Sequence, residues 1–523
     1  MNWLFCLYLL IVVCPLCGEA ATNCPAEPII ESAELQRSPF FTLRDSVLET
    51  LENQKQIQIS ILNIANQAGV LQQSAGPFDI NLNQTSKATA ARAYQRPPQF
   101  RYAKQDYDVQ TSLTKTTRMG TTFTFFNEEE YTVDHIPNTL RFRESMVAFT
   151  INQPLLNNFM YGLNTQIEKA NRLELIAVEW DTLFAISQTI LNTVTQYWNV
   201  VGAKLNLDVQ KEAEIRLNHL LETSKNLVQG SILAPSDLNQ ILVSITNQQA
   251  ATAEAEVALY VNDQNLRFAM GEIDEDGICA YDTLVNVINA FPRIPECEVI
   301  LKKTSCLINT GFNYRADLLA AITREFEAQT LLKGAWNQTL PGLNVFGTVS
   351  RSDNRQAGGS LSSPPPSYSY FREGETDWTV GLNISVPFYN DAALGFLRQQ
   401  EAQTAQAGLE IQLLKQNIIT NILQTVHTLV ALKQEIQFTQ ESVDYYKVLI
   451  RDESARLQAG FGNIFVLLNF ENLLTATTSS LVSFIQQYFQ NIALLKFNTG
   501  TLVNIDSKTK TILYYEDIKF PFE

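Results

Sequence analysis

Basic side chains and histidines are scarce in this sequence. It contains 38 Lys and Arg against 54 Asp and Glu, a formal net charge of −16, and only three histidines in 523 residues. No run of basic residues occurs anywhere along the chain. A nucleic-acid partner is therefore not expected, because binding to phosphates requires clustered Lys and Arg.

Catalytic and metal-binding motifs are also missing from the sequence. The histidines, His135, His219 and His427, stand apart from one another and from any nucleophile or acid at a useful spacing. There is no phosphate-binding glycine loop, no dinucleotide fingerprint and no His/Cys spacing typical of a metal site. We therefore predict no enzyme activity, no cofactor and no metal.

Long apolar runs are absent after the N-terminus, so no transmembrane helix is expected there. Residues 1–20 are apolar and end in small residues, with Gly18 and Ala20 placed as a signal-peptidase site. A membrane anchor would need about 20 apolar residues, but this run stops at Pro15. We predict a cleaved secretory signal peptide; whether Cys17 or Cys24 carries a lipid stays open.

Cysteines are few and unevenly placed. Beyond the predicted signal peptide only four remain, and three of these crowd into one short segment: Cys279, Cys297 and Cys306. An exported protein meets an oxidising compartment, where such a cluster permits a disulfide. The sequence does not determine which two cysteines would pair.

Two long amphipathic helical stretches dominate what the sequence does contain. Their apolar residues recur every three or four positions, first at Leu183, Ile186, Ile190, Val194 and Tyr197, and later at Ile419, Ile422, Val426, Leu429, Leu432 and Ile436. The remaining surface is rich in Gln, Asn and Thr. Narrow apolar seams of this kind are typical of coiled-coil packing.

The same order of elements occurs twice along the chain. Pro154 and Pro387 each follow a strand-like segment and precede a long helical stretch, and they lie 233 residues apart. Gly230 and Gly462 mark the turns that end those stretches, 232 residues apart. A nearly constant offset of this kind indicates an internal duplication.

Strand-like segments with nearly alternating polarity precede the long helices. They comprise residues 78–85 and 146–153 in the first repeat and 343–350 and 378–386 in the second, with a possible extra hairpin at 120–126. These segments are about long enough for tilted membrane strands. Proline at a strand end cannot donate to the ladder but is tolerated in the first turn of a helix.

These observations divide the chain into five parts. We predict a signal peptide at 1–20, a first structural repeat at 21–270, a connector with the clustered cysteines at 271–311, a second repeat at 312–503, and a polar tail at 504–523.

Several segments carry a family resemblance. Residues 41–57, 153–158 and 314–350 are similar to the opening helix, the strand-to-helix junction and the second-repeat counterpart of the TolC-like outer membrane efflux proteins. Here the opening helix has larger residues where the family has small ones. Together with the duplication and the signal peptide, these segments identify the chain as resembling this family.

The resemblance implies a fold that combines α-helices with transmembrane β-strands. It predicts a trimeric channel-tunnel in the cell outer membrane, with about four strands from each chain in a shared twelve-stranded barrel and long coiled-coil helices in the periplasm. The implied partners are two further copies, a periplasmic adaptor, an inner-membrane pump driven by protons or ATP, and outer membrane lipid.

The resemblance also suggests functional residues at the helical turns. The entrance-lining candidates are Asp237, Asn469 and Glu471, and the candidate adaptor-docking turns contain Gly230, Gly460 and Gly462. The alternative for Asp237 is a helix N-cap, with Ser236 or Asp237 capping the returning helix. The alternative for the glycines is ordinary helix termination.

The sequence leaves three functions open. The first is an exit duct for drugs and other toxic small molecules, and the second is the exit channel of a type I protein secretion system. A third, from another class, is a secreted coiled-coil structural or adhesive protein without a pore. Pro154 and Pro387 count against this last interpretation, because uninterrupted heptads would contain no strand pairs bounded by proline.

Overall fold

The computed structural model describes residues 41–95, 100–134, 140–231, 233–272, 284–288, 290–294, 303–358, 374–505 and 512–513. All of them belong to one structural unit, Phe41–Glu523. The predicted signal peptide, His135, Cys279 and Cys297 lie outside the described residues.

The helices occur in two matching series. The first consists of α1 (Leu43–Asn53), α2 (Lys55–Ala75), α3 (Leu163–Gln229) and α4 (Pro235–Met270). The second consists of α5 (Thr304–Tyr314), α6 (Ala316–Gln338), α7 (Asp391–Gln458) and α8 (Ile464–Asn498). Their lengths are 11, 21, 67 and 36 residues in the first series and 11, 23, 68 and 35 in the second.

A six-stranded antiparallel sheet interrupts both series at the same place, between the second and third helices. Its strands pair in chain order: β1 (Ile80–Gln95), β2 (Phe100–Thr116), β3 (Thr122–Asp134), β4 (Leu140–Pro154), β5 (Gly342–Gly358) and β6 (Glu375–Ser385). The sequence predicted about four strands. The additional pair is the hairpin β2–β3, which contains the segment 120–126.

Helix α5 begins within the predicted connector, at Thr304. Apart from it, the connector and the tail contribute little regular structure among the described residues. Val287 forms a parallel bridge with Phe41, and two short strands, β7 (Asn504–Ile505) and β8 (Ile512–Leu513), pair near the C-terminus. Cys306 is an exposed free thiol on α5. In this structure, therefore, the disulfide expected from the cysteine cluster does not include Cys306.

Apolar seams hold the long helices together, largely where their spacing predicts. Ile186, Ile190, Val194 and Tyr197 of α3 are buried in one cluster. On α7 the buried residues are Ile411, Ile418, Ile422, Val426, Leu429 and Leu432. Ile419 was the wrong starting point, because Ile418 lies one helical turn before Ile422 on the packed face. Leu183 and Ile436 are only partly buried.

Helices α3 and α7 are long enough to extend well beyond an ordinary globular core. At 1.5 Å per residue each reaches about 100 Å. Among the described residues, no helix is both long and apolar enough to cross a membrane.

A charged cluster joins α3 to α6. Arg324 of α6 donates from Nε to Glu174 Oε2 at 3.1 Å, and it also binds Asp181. Glu327, one turn further along α6, faces the same carboxylate of Glu174. Burial raises the pKa of the Glu327 carboxyl to about 7, and the charge of Glu174 adds to this shift.

This cluster predicts a pH-dependent stability. Because the folded-state pKa of Glu327 is raised, the native state binds more protons than the unfolded state between about pH 4.5 and 7. Stability from this group therefore falls as the pH rises through that window. We expect Glu327→Gln to have the same melting temperature as the wild type at pH 4 and a higher one at pH 8. Equal melting temperatures at pH 8 would contradict the prediction.

Candidate functional site

The six-stranded sheet has one apolar and one polar face. A row of directly paired apolar side chains crosses all six strands: Leu82, Leu113, Phe125, Phe149, Val349 and Trp378. All six are exposed in the single chain. The adjacent row lies on the opposite face and is polar throughout: Asn81, Thr114, Thr124, Thr150, Thr348 and Thr379. Such alternation is typical of strands that separate lipid from a water-filled interior.

The strand-to-helix junctions differ from the expected geometry. Pro154 is the last residue of β4, but α3 begins only at Leu163. Pro387 follows β6 by two residues, and α7 begins at Asp391. Neither proline therefore occupies the first turn of its helix. In the first repeat, Asn158 and Met160 adopt left-handed conformations that redirect the chain before α3 starts.

The far ends of the long helices form two turns. In the first, Gly230 caps α3 with an ordinary φ of −78°, and the neighbouring Ser231 takes the left-handed conformation instead. Helix α4 then starts at Pro235 with Ala234 as its N-cap and no side-chain cap. The expected cap by Ser236 or Asp237 is therefore wrong: Ser236 donates to Asp237 Oδ1 at 3.4 Å rather than accepting from the backbone.

Asp237 remains available for another role. It lies in the first turn of α4, where the positive end of the helix dipole favours a carboxylate. It is partly exposed. Its position at the tip of the first helical hairpin is compatible with an entrance-lining carboxylate.

The second turn, between α7 and α8, is more tightly constrained. Gly460 has a left-handed φ of 82°, and the amide of Gly462 donates to Arg456 O at 3.0 Å. Asn463 caps α8 by accepting from the amide of Phe465 at 2.9 Å. The side chain of Phe461, between the two glycines, is 82% exposed. The turn therefore presents an apolar ring to the surroundings.

The two second-repeat entrance candidates differ in exposure. Asn469 is exposed on α8. Glu471 is buried, and its Oε2 accepts from Arg216 Nε of α3 at 2.9 Å. Arg216 also donates from Nη2 to Thr475 Oγ1 at 3.1 Å. In the single chain Glu471 therefore joins α3 to α8 and is not an exposed carboxylate for a ring.

A cavity of about 430 Å³ with a mixed polar and apolar lining opens beside this ion pair, between α3, α7 and α8. Its lining includes the basic residues Arg216, His219, Lys447 and Arg451. The acid in its wall is Glu471. This end of the helical hairpins therefore combines basic side chains with a buried carboxylate.

Replacing glycine with alanine is expected to destabilise the second turn more than the first. An added Cβ at Gly462 would lie 2.4 Å from the amide nitrogen of Leu457, and Gly460 has a positive φ that costs other residues about 1–3 kcal/mol. We expect Gly460→Ala and Gly462→Ala each to lower the unfolding free energy by at least about 1 kcal/mol, as measured by denaturant unfolding. The matched control is Gly230→Ala, whose ordinary φ predicts a smaller loss. Equal losses at all three glycines would contradict this account.

No group of three or more His, Cys, Asp or Glu side chains suitable for a metal ion occurs among the described residues. His219 and His427 lie exposed and apart on α3 and α7. The features that bear on function are instead the two-faced sheet and the helical hairpins.

A sheet with one apolar face, continued by two helices of about 100 Å, is the architecture of a channel-tunnel. Residues 307–501 match the family described as "Outer membrane efflux protein". The family resemblance predicted from the sequence is confirmed over this part of the chain, and with it the location of the family in the outer membrane. The chain matches no curated protein sequence.

Solved outer-membrane channels share the fold at low sequence identity. The outer-membrane channel OprN is 12% identical, with a TM-score of 0.63 over 88% of this chain and 90% of that one. CmeC of Campylobacter jejuni is 14% identical, with a TM-score of 0.62 over 88% and 85%. VceC of Vibrio cholerae is 16% identical, with a TM-score of 0.62 over 88% and 96%. These relatives are channels rather than enzymes.

Two groups of charged residues were missed by sequence reasoning. One is the pair Arg216–Glu471, whose members are 255 residues apart. The other is Arg118, in the β2–β3 turn, which binds Glu168 of α3 through two bonds of 2.6 and 2.7 Å. The sequence contains no signal for either partner, because Glu168 and Arg216 lie in stretches of α3 that contain several other charged residues.

Proposed function

We propose that the protein is the outer membrane exit duct of a tripartite export system, passively conducting drugs and other toxic small molecules. The observation that carries this proposal is the two-faced sheet joined directly to the long helical hairpins. Its apolar row fits lipid, while the polar row of one asparagine and five threonines on the opposite face suits a wet interior. The family match over residues 307–501 supports the same function.

A trimer would complete this duct. In the single chain the apolar row of the sheet is exposed, and the long helices also keep exposed apolar side chains, among them Phe438, Tyr445 and Val448 on α7. Further copies packed side by side would cover the exposed apolar side chains of the helices and enclose a tunnel, while the apolar row of the sheet would face lipid. The homotrimer follows from the family resemblance.

A periplasmic adaptor would bind at the hairpin turns. The exposed ring of Phe461 lies between the candidate docking glycines Gly460 and Gly462, and the exposed ring of Phe465 follows them at the start of α8. An exposed aromatic side chain on a rigid turn is a suitable anchor for a partner pocket. The adaptor would connect the duct to an inner-membrane pump, which would supply both the energy and the choice of cargo.

A gene deletion in the cell that makes the protein tests which cargo the duct conducts. Deleting the gene should increase sensitivity to toxic small molecules, and the wild-type gene on a plasmid should restore resistance. If resistance is unchanged but a protein disappears from the medium, the duct belongs to a type I secretion system instead. If neither changes and the purified protein forms no pore, the coiled-coil structural protein becomes the better account.

A further inference from the structure

The hairpin β2–β3 is a full part of the membrane-facing sheet. Leu113 of β2 and Phe125 of β3 continue the apolar row without a gap, and Thr114 and Thr124 continue the polar row. For strands outside the lipid, no alternation in register with the neighbouring strands would be expected, because both of their faces would contact water. All six strands therefore share the same two environments.

Contacts at the turn of this hairpin fix it to the long helix α3. Arg118 in the turn binds the buried carboxylate of Glu168 on α3, and Thr165 Oγ1 donates to Arg118 O at 3.0 Å. Gly120, with φ of +88°, lies so close to Asn158 that a Cβ there would be 2.3 Å from Asn158 O. The hairpin is thus held in place by the same helix that continues from β4.

The sheet has two open edges, β1 and β6. Both carry the apolar face to the edge, with Ile80 and Leu82 on β1 and Val380 and Leu382 on β6, all more than half exposed. Open edges are not tolerated in lipid, because unpaired backbone groups find no water there. Six strands are also too few to close on themselves, since the smallest bacterial membrane barrels have eight.

The two edges carry charges of opposite sign beyond the apolar rows. Lys87 lies on β1, and Glu375 and Asp377 lie on β6. On each edge strand the charge lies on the side of the apolar row away from the helices. Two copies set edge to edge would therefore bring an ammonium near carboxylates, which makes a neighbouring copy of this chain a suitable occupant for each edge.

We infer that copies of this chain pair β1 of one with β6 of the next, so that a trimer closes a barrel of 18 strands rather than twelve. The trimer itself rests on the proposed function, whereas the strand number comes from six strands in each chain. Barrel diameter grows roughly linearly with strand number, so the membrane pore is about 1.5 times as wide as that of a twelve-stranded barrel.

Disulfide cross-linking between copies tests this inference. In a background with Cys24, Cys279, Cys297 and Cys306 replaced by serine, Leu82→Cys on β1 is combined in turn with cysteines at three β6 positions: Val380, Leu382 and Ile384. We expect at least one combination to yield linked dimers and trimers, and no larger species, on a denaturing gel of oxidised outer membranes. Each single cysteine variant should yield monomers only.

The matched control places the first cysteine on β3, as Phe125→Cys, with the same β6 positions. If β1 and β2 lay outside a twelve-stranded barrel, β3 would be the edge, and this variant would be cross-linked instead; that result would overturn the inference. A β1–β6 ladder that stops at the dimer would also overturn it. So would the absence of any cross-link, provided that a second set on the polar face, Asn83→Cys with cysteines at Thr379, Gly381 or Asn383, is equally negative.

Failure of this inference is distinguishable from failure of the proposed function. Ionic current is recorded from the same preparations in a planar bilayer. Current together with β3–β6 cross-links would overturn the 18-stranded barrel and leave the duct intact. A trimeric β1–β6 ladder without current would leave the barrel intact and contradict the duct.

Discussion

Arg216→Met is expected to lower the unfolding free energy by about 3–5 kcal/mol, the range for breaking a buried ion pair by removing one partner. The substitution keeps most of the side-chain volume but leaves the carboxylate of Glu471, whose side chain is only 10% exposed, without its cation. Thr475 Oγ1, which accepts from Arg216, also loses that donor. Denaturant unfolding of the detergent-solubilised protein measures the loss.

Two further variants separate the ion pair from general damage to this region. Adding Glu471→Leu to Arg216→Met removes the unpaired charge and should recover much of the lost stability. Arg451→Met, in the wall of the same cavity, should change stability by less than about 0.5 kcal/mol because that side chain is 75% exposed. If the double variant is no more stable than Arg216→Met, the ion pair does not explain the loss.

Arg118→Met is expected to cost about 2 kcal/mol and to loosen the β2–β3 hairpin. Glu168 is almost fully buried and would lose its close hydrogen-bonded cation, while Arg172 Nη2 lies 3.7 Å away. This expected loss of unfolding free energy is smaller than that for a fully buried ion pair because Arg118 itself is more than half exposed. Arg118 also lies over the ring of Phe78, 5.0 Å from its centroid, and this contact is lost as well.

Hydrogen exchange locates that effect. Amides on both sides of the β2–β3 turn, in residues 114–124, should exchange faster in Arg118→Met, while amides of β5 and β6 should be unchanged. Arg172→Met is the control, because it touches the same carboxylate only at 3.7 Å and is itself exposed. Equal exchange in both variants would show that Glu168 does not anchor the turn through Arg118.

Sequence reasoning predicted the helices of this fold well because their signal is local and repeated. The seam of α3 and the turns after Gln229 and Gln458 follow directly from the spacing of apolar residues and glycines. The hairpin β2–β3 was harder to predict. Strand β2 alternates weakly, since Lys, Gln and Asp occupy many of its 17 positions, and it becomes recognisable only when paired with the apolar side chains of β3.

The candidate site was less predictable, because its contacts join distant parts of the chain. Glu471 was expected to face a lumen, whereas its partner Arg216 lies on another helix in the first repeat. The capping role of Asp237 was wrong because the N-cap is Ala234, three residues earlier, which places Asp237 inside the first turn of the helix. Local propensity cannot decide between two residues that both suit the first turn of a helix.

The most direct test of the central claim is the single-channel conductance of the purified protein in a planar bilayer. The account predicts discrete current steps that prefer cations, and a weaker preference in Asp237→Asn, because a ring of carboxylates at the tip would be neutralised. Discrete steps with unchanged selectivity in the variant would keep the channel and remove Asp237 from its entrance. A silent bilayer, from folded protein shown to be inserted, would contradict the claim that this chain forms a duct.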